Sequence, residues 1–333
     1  MIGIRRREFI SLMGGAAAAW PLAARGQQGD RIRRIGVLTP YSENDPYARA
    51  QFDAFVQGLA ELGSSEGRNL RMDVRRAAGD LDRVRMYAKE LVMLQPDAIL
   101  VDSTPQTAAL QRETRTIPIV FVVVSDPVGS GFVAGLPRPG GNLTGFSTQE
   151  PTMAGKWVEL LTEIAPDRRR IAAMFNPETA PYVRSYYLPP FEAAARSLKV
   201  EPIVVPVHSD AEIETVVISL GRDSGGVVLV PDAFLLAHRA SIISLAARNN
   251  VPAVYWSSAF TTQGGLLSYG PDLRDLYRRG AGYVDRILRG ARPSELPVQL
   301  PVKFEMAVDV KTAKAFCLTV PQSILVRADE VAE

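Results

Sequence analysis

The sequence predicts an α/β protein of two similar parallel-sheet halves in series, and three observations carry the prediction. Short apolar runs alternate with amphipathic helical stretches from Arg33 onward. Runs such as Ile119-Val120-Phe121-Val122-Val123-Val124 lack polar alternation, so both faces of their sheet are covered. The pattern stops in Gly/Pro-rich sequence at 129–145 and then restarts, and a chain of 333 residues suits two domains.

The first unit pairs a strand at Ile35-Gly36-Val37-Leu38 with a helix whose Phe52, Phe55, Val56, Leu59 and Leu62 recur at steps of mostly three or four until Gly63 ends it. Strands at 70–74, 98–101 and 117–124 follow, with helices at 81–94 and 105–115 between them, the β-α repeat that a parallel sheet requires. The stretch 129–145 reads as a boundary loop. Beyond it, helices at 155–164, 190–198, 211–220 and 235–249 alternate with strands at 171–175, 203–207, 227–230 and 253–255. A last stretch holds Leu266-Leu267-Ser268-Tyr269, a long helix at 272–289, and 304–310 before a final helix. The expected division is an N-terminal lobe over 27–145 completed by about 270–295, and a C-terminal lobe over 146–265 completed by about 300–333.

Composition narrows the function. With 47% hydrophobic and 22% charged residues, the chain is an ordinary globular one. One cysteine, Cys317, forms no internal disulfide, and beside only His208 and His238 it makes no Cys/His metal cluster. The net charge is +2, of which Arg5, Arg6, Arg7 and Arg25 against Glu8 supply +3, leaving the remainder near −1 and without an electrostatic case for nucleic acid.

Residues 1–26 read as an export address. Basic Arg5-Arg6-Arg7 precedes an apolar run from Phe9 to Ala24 that is too short and too Gly/Ala-rich to span a bilayer comfortably, and Ala24-Arg25-Gly26 is a small-x-small cleavage pattern. The run Arg6-Arg7-Glu8-Phe9-Ile10 is similar to the twin-arginine signature, so a periplasmic location is expected. A retained anchoring helix is the bland alternative.

Several motifs fail in context. Gly129-Ser130-Gly131-Phe132-Val133-Ala134 matches a dinucleotide fingerprint formally, but Asp126-Pro127 separates it from the fourth strand rather than the first. Neither a phosphate-cradling G-x-x-x-x-G-K-[ST] nor a G-x-S-x-G nucleophile elbow occurs, and His208 and His238 read as solvated or capping residues. No cofactor is expected.

Open parallel sheets bind ligands at the carboxyl ends of their strands. Those ends carry Tyr41 and Ser42, Ser103 and Thr104, Ser125 and Asp126 in the first half, and Asn176, Asp232 and Tyr255 in the second, with Tyr269 further on. Ser103 or Thr104 followed by Pro105 starts a helix, whose amides and hydroxyl suit a ligand carboxylate as well as a plain cap. Asp126 or Asp232 would take an ammonium group. Tyr41, Tyr255, Trp256 and Tyr269 offer apolar faces with polar tips, and each suits the core equally well.

A family resemblance runs through Arg34-Ile35-Gly36-Val37-Leu38, Phe55-Val56-Gln57-Gly58-Leu59-Ala60-Glu61-Leu62-Gly63, Arg138-Pro139-Gly140-Gly141-Asn142-Leu143-Thr144-Gly145 and Gly264-Gly265-Leu266-Leu267-Ser268-Tyr269-Gly270-Pro271. On these segments the chain resembles substrate-binding proteins of ABC transporters, in the family that includes tryptophan/tyrosine-type receptors. The resemblance implies a type I periplasmic binding protein fold, two doubly wound parallel-sheet lobes joined by crossover hinge segments, in a monomeric receptor, not an enzyme, that closes by hinge bending on an amino acid or an aromatic or branched carboxylate and presents it to membrane permease subunits. Asp102-Ser103-Thr104-Pro105-Gln106 stands where Gly-Thr-Pro-Ala is usual in the family, which leaves the ligand open. The alternative class is a periplasmic α/β enzyme, for which the sequence offers only unpaired carboxylates such as Asp126 and Asp232.

Overall fold

A computed structural model describes residues 31–148 and 150–333. The export address at 1–26 lies outside the described residues.

The first sheet takes its strands from β1 (Arg33–Thr39), β2 (Leu70–Arg76), β3 (Ala98–Asp102), β4 (Ile119–Val124) and β5 (Leu143–Ser147). Their order is β2-β1-β3-β4-β5, and every pairing is parallel. The crossovers carry α1 (Pro46–Glu61), α2 (Leu81–Met93) and α3 (Thr104–Glu113). Alternate side chains of β3 and β4 enter two different cores: Leu100, Val120 and Val122 join one, Ile99, Val101 and Phe121 the other. Burial on both faces is why these strands show no polar alternation.

The stretch 129–145, expected as a loop, contains the start of β5. Its glycine hid it. Gly145 at φ +151 lies so close to Phe121 that a β-carbon would stand 1.9 Å from the Phe121 carbonyl oxygen, so only glycine pairs there.

The second sheet is built from β6 (Arg170–Phe175), β7 (Glu201–Pro206), β8 (Gly226–Leu229), β9 (Ala253–Tyr255), β10 (Leu267–Pro271), β11 (Phe304–Asp309) and β12 (Glu330–Ala332). The order is β12-β11-β10-β9-β8-β6-β7, parallel except for the antiparallel β10–β11 pair. Around it stand α4 (Met153–Ile164), α5 (Val183–Tyr186), α6 (Leu188–Ser197), α7 (Asp210–Arg222), α8 (Ala233–Ala237), α9 (Arg239–Arg248) and α10 (Ser258–Thr261). The helix expected at 235–249 is broken: α8 and α9 meet at His238, whose φ −96 and ψ 13 interrupt the spiral.

Between β10 and β11, α11 (Leu273–Leu288) crosses back and packs along α1, β3 and β4 of the first lobe. Gly58 makes the contact possible, since a β-carbon there would stand 2.9 Å from that of Ala281. Short helices α12 (Val310–Ala315) and α13 (Gln322–Arg327) finish the second lobe. The chain therefore passes between the lobes three times, after Ser147, after Pro271 and after Gln299, whose backbone bonds Gly145 and Ser147. Among the described residues no helix is long and apolar enough to cross a membrane.

Candidate functional site

The lobes face each other across the carboxyl ends of their strands, and in lobe one β3 supplies the centre. Asp102 ends the strand with 1% exposure and accepts a hydrogen bond from the Tyr277 hydroxyl of α11. Burial pushes its carboxyl up to about 7, and the tyrosine bond holds it back only in part. Ser103 follows at φ 72, a left-handed conformation unusual for serine, and its hydroxyl donates to Gln106 Oε1 at 2.5 Å rather than capping α3. That leaves the first amides of α3 without side-chain acceptors. Thr104 Oγ1 is buried beside them and makes no well-formed hydrogen bond among the described residues, while the nearby Tyr182 hydroxyl donates to the Pro231 carbonyl at 2.8 Å. Val123, at the end of β4, is forced to φ 58 where the β4–β5 register shifts. A β-branched residue in that region stores about 1–3 kcal/mol of strain, and such strain gathers at functional sites.

Lobe two answers with Asp232, which begins α8 and is 2% exposed. Its oxygens accept from Asn176 N at 2.5 Å, Thr179 Oγ1 at 2.5 Å and Phe234 N at 2.7 Å. Burial again dominates and raises the carboxyl to about 6, against those three donors.

Between them lies a narrow cleft. Asp102, Ser103, Thr104 and Val123 line it from lobe one, and Tyr182, Asp232, Leu236 and Trp256 from lobe two. Asp102 and Asp232 line this space, and among the described residues no Lys, Arg or His does. The arrangement can hold an anion at the start of α3 and a cation between the two acids.

Of the residues expected from strand ends, Ser103, Thr104 and Asp232 come together in this cleft. Tyr41 and Ser42 line two separate spaces, which Asp45 lines as well, and the Tyr41 hydroxyl is buried without a hydrogen-bond partner among the described residues. Asn176 stands behind Asp232, donating its backbone N–H to that carboxylate. Ser125 bonds Thr148 at 3.0 Å and receives the Tyr187 hydroxyl at 3.2 Å. Asp126 is turned onto its own loop, where Oδ1 accepts from Gly129 N at 2.8 Å, and so does not reach the cleft. Tyr255 is fully buried and stacked on Phe260 at 4.5 Å, and Tyr269 tilts against Phe304. Neither lines the cleft. His208 pairs with Glu212, and His238 Nδ1 contacts the Phe234 carbonyl.

Sequence reasoning passed over Asp102, Val123, Tyr182 and Leu236. Asp102 had a usable signal, a carboxylate ending an otherwise apolar strand immediately before a Thr-Pro helix start. The other three carried none.

The lobes are shut. Arg239 pairs with Asp45 at 2.6 Å, and the Tyr47 hydroxyl meets Ser257 Oγ at 2.9 Å, each contact joining an element of lobe one to one of lobe two.

Two doubly wound lobes with a cleft between their strand ends define a type I periplasmic binding protein fold. The chain belongs to the family of ABC transporter substrate binding proteins, which it matches over residues 34–332. A tyrosine-binding protein of Clostridioides difficile is 26% identical over 263 residues, 78% of this chain and 74% of that protein. Among solved structures, a conserved domain protein from Vibrio cholerae superposes with a TM-score of 0.83 at 26% identity, over 90% of this chain and 100% of that one. An ABC domain from Streptococcus pneumonia in complex with L-Trp gives 0.82 at 26% identity, over 90% and 99%.

Proposed function

We propose that this chain is an exported receptor that captures a free amino acid with an aromatic side chain between its lobes and hands it, unaltered, to the membrane subunits of an ABC importer. One observation carries the choice of ligand: Asp102 and Asp232, from opposite lobes, line a single cleft that no basic side chain among the described residues lines. Burial disfavours the ionised form of each carboxyl. An ammonium group between them removes that cost and at the same time ties lobe to lobe. A carboxylate without an ammonium would add a third negative group instead. The ligand's own carboxylate goes to the amides opening α3 and to Thr104 Oγ1, which otherwise makes no well-formed hydrogen bond among the described residues. Trp256, Leu236 and Tyr182 give an aromatic side chain apolar surface to cover. The names of the relatives agree, one binding tyrosine and one solved with L-Trp.

The mechanism needs no covalent step. The ligand contacts both lobes only when they are shut, so binding shifts the hinge equilibrium toward the closed form. A chain exported through the leader at 1–26 and acting as a monomer would present that closed form to its permease.

A thermal-shift panel tests the reading. L-Trp and L-Tyr raise the melting temperature, whereas indole-3-propionate, which keeps ring and carboxylate but lacks the ammonium, raises it far less at equal concentration. Equal shifts for L-Trp and indole-3-propionate would remove the acids from the site.

A further inference from the structure

The ion pair between Asp45 and Arg239 bridges the lobes outside the ligand cleft. Asp45 sits ahead of α1 in lobe one and Arg239 opens α9 in lobe two, 194 residues apart in sequence. Their side chains are 5% and 10% exposed, so closure takes both charges out of water. Each is held within its own lobe. Asp45 Oδ1 caps α1 through the amides of Tyr47 at 3.0 Å and Ala48 at 3.3 Å, leaving Oδ2 for the pair. Arg239 donates to the Leu236 carbonyl at 3.0 Å. Neither charged residue lines the cleft that holds Asp102 and Asp232.

We propose that Asp45 and Arg239 form a closure latch that sets the open–closed balance of the receptor and scales the affinity of every ligand by the same factor, without contacting any of them. The inference rests on the receptor reading above.

A buried ion pair gains little net energy, because desolvation offsets attraction, but removing one partner strands the other charge in the closed form. The apparent affinity then falls with the closed-competent fraction, whatever the ligand.

The test compares wild type, Asp45→Asn, and Asp45→Asn combined with Arg239→Met, by calorimetric titration with L-Trp and L-Tyr. Asparagine keeps the α1 cap and removes the charge. The single variant weakens both amino acids by the same factor, about 10- to 100-fold, and the double variant recovers most of it because no charge is left stranded. Unequal losses for the two ligands, or a double variant as weak as the single, overturn the latch. If wild type binds neither amino acid, the receptor reading falls, and small-angle scattering of the ligand-free proteins decides the latch by itself. A larger radius of gyration for Asp45→Asn than for wild type supports it, and superimposable curves overturn it.

Discussion

Asp102 and Asp232 hold corresponding places in the two lobes, each near a strand end, each buried, each with a raised carboxyl, yet they are wired differently. Asp232 spends its oxygens on Asn176, Thr179 and Phe234 of its own lobe. Asp102 accepts from Tyr277 alone among the described residues. A carboxylate offers about four acceptor sites, so Asp232 has little left for a ligand while Asp102 has most of its capacity free. Under the proposed function, lobe two would present a fixed acidic wall, and lobe one the acceptor that a ligand completes. Tyr277 belongs to the helix that returns from lobe two, so the second passage of the chain, after Pro271, is what steadies the Asp102 carboxyl in lobe one.

The sharpest way to break that comparison is to neutralise each acid in turn. Asp102→Asn is expected to weaken L-Trp by about 2–3 kcal/mol, the loss of a hydrogen bond between charged groups, with the ligand-free melting temperature unchanged or raised. Asp232→Asn is expected to lower the ligand-free melting temperature, because the amide cannot accept from three donors as a carboxylate does. Melting curves and titrations of both variants check the split, and matching profiles would erase the distinction.

Proton linkage gives the next effect. An ammonium ligand favours ionised acids, so the affinity for L-Trp rises from about pH 5.5 to about pH 7.5, by up to about tenfold per pH unit for each carboxyl still protonated. Stability runs the other way. With folded values of about 7 and about 6, both acids hold protons that the unfolded chain releases near pH 4. Their contribution to ligand-free stability is therefore complete below about pH 4 and lost as pH rises through about 7. Titrations and melts across that window read both slopes, and affinity that is flat with pH contradicts the paired acids.

The smallest effect sits at the start of α3. Thr104→Val removes a buried hydroxyl that makes no well-formed hydrogen bond among the described residues, so the ligand-free protein keeps its stability while ligand carboxylates weaken by about 1.5 kcal/mol. A melting temperature that falls with affinity unchanged would make Thr104 a structural residue only.

The β-α alternation was readable because buried parallel strands and amphipathic helices leave different periods in the sequence. What escaped was set by contacts remote in the chain. Leu143–Ser147 looked like a loop because its pairing with β4 demands Gly145, and glycine reads as a breaker. The break at His238 left no composition signal. Of the residues named by the rule about strand ends, Ser103, Thr104 and Asp232 line the cleft, whereas the carboxylate of Asp126 turns onto its own local turn. The rule gave Asp102 no role, since the tyrosine that bonds it lies 175 residues away.

One titration addresses the ammonium site most directly: wild type and Asp102→Asn, each against L-Trp and indole-3-propionate. The account predicts that the substitution costs L-Trp most of its advantage and leaves indole-3-propionate no weaker, so the two ligands converge. A parallel loss for both, with the wild-type preference intact, would place the ligand's amino group somewhere other than beside Asp102.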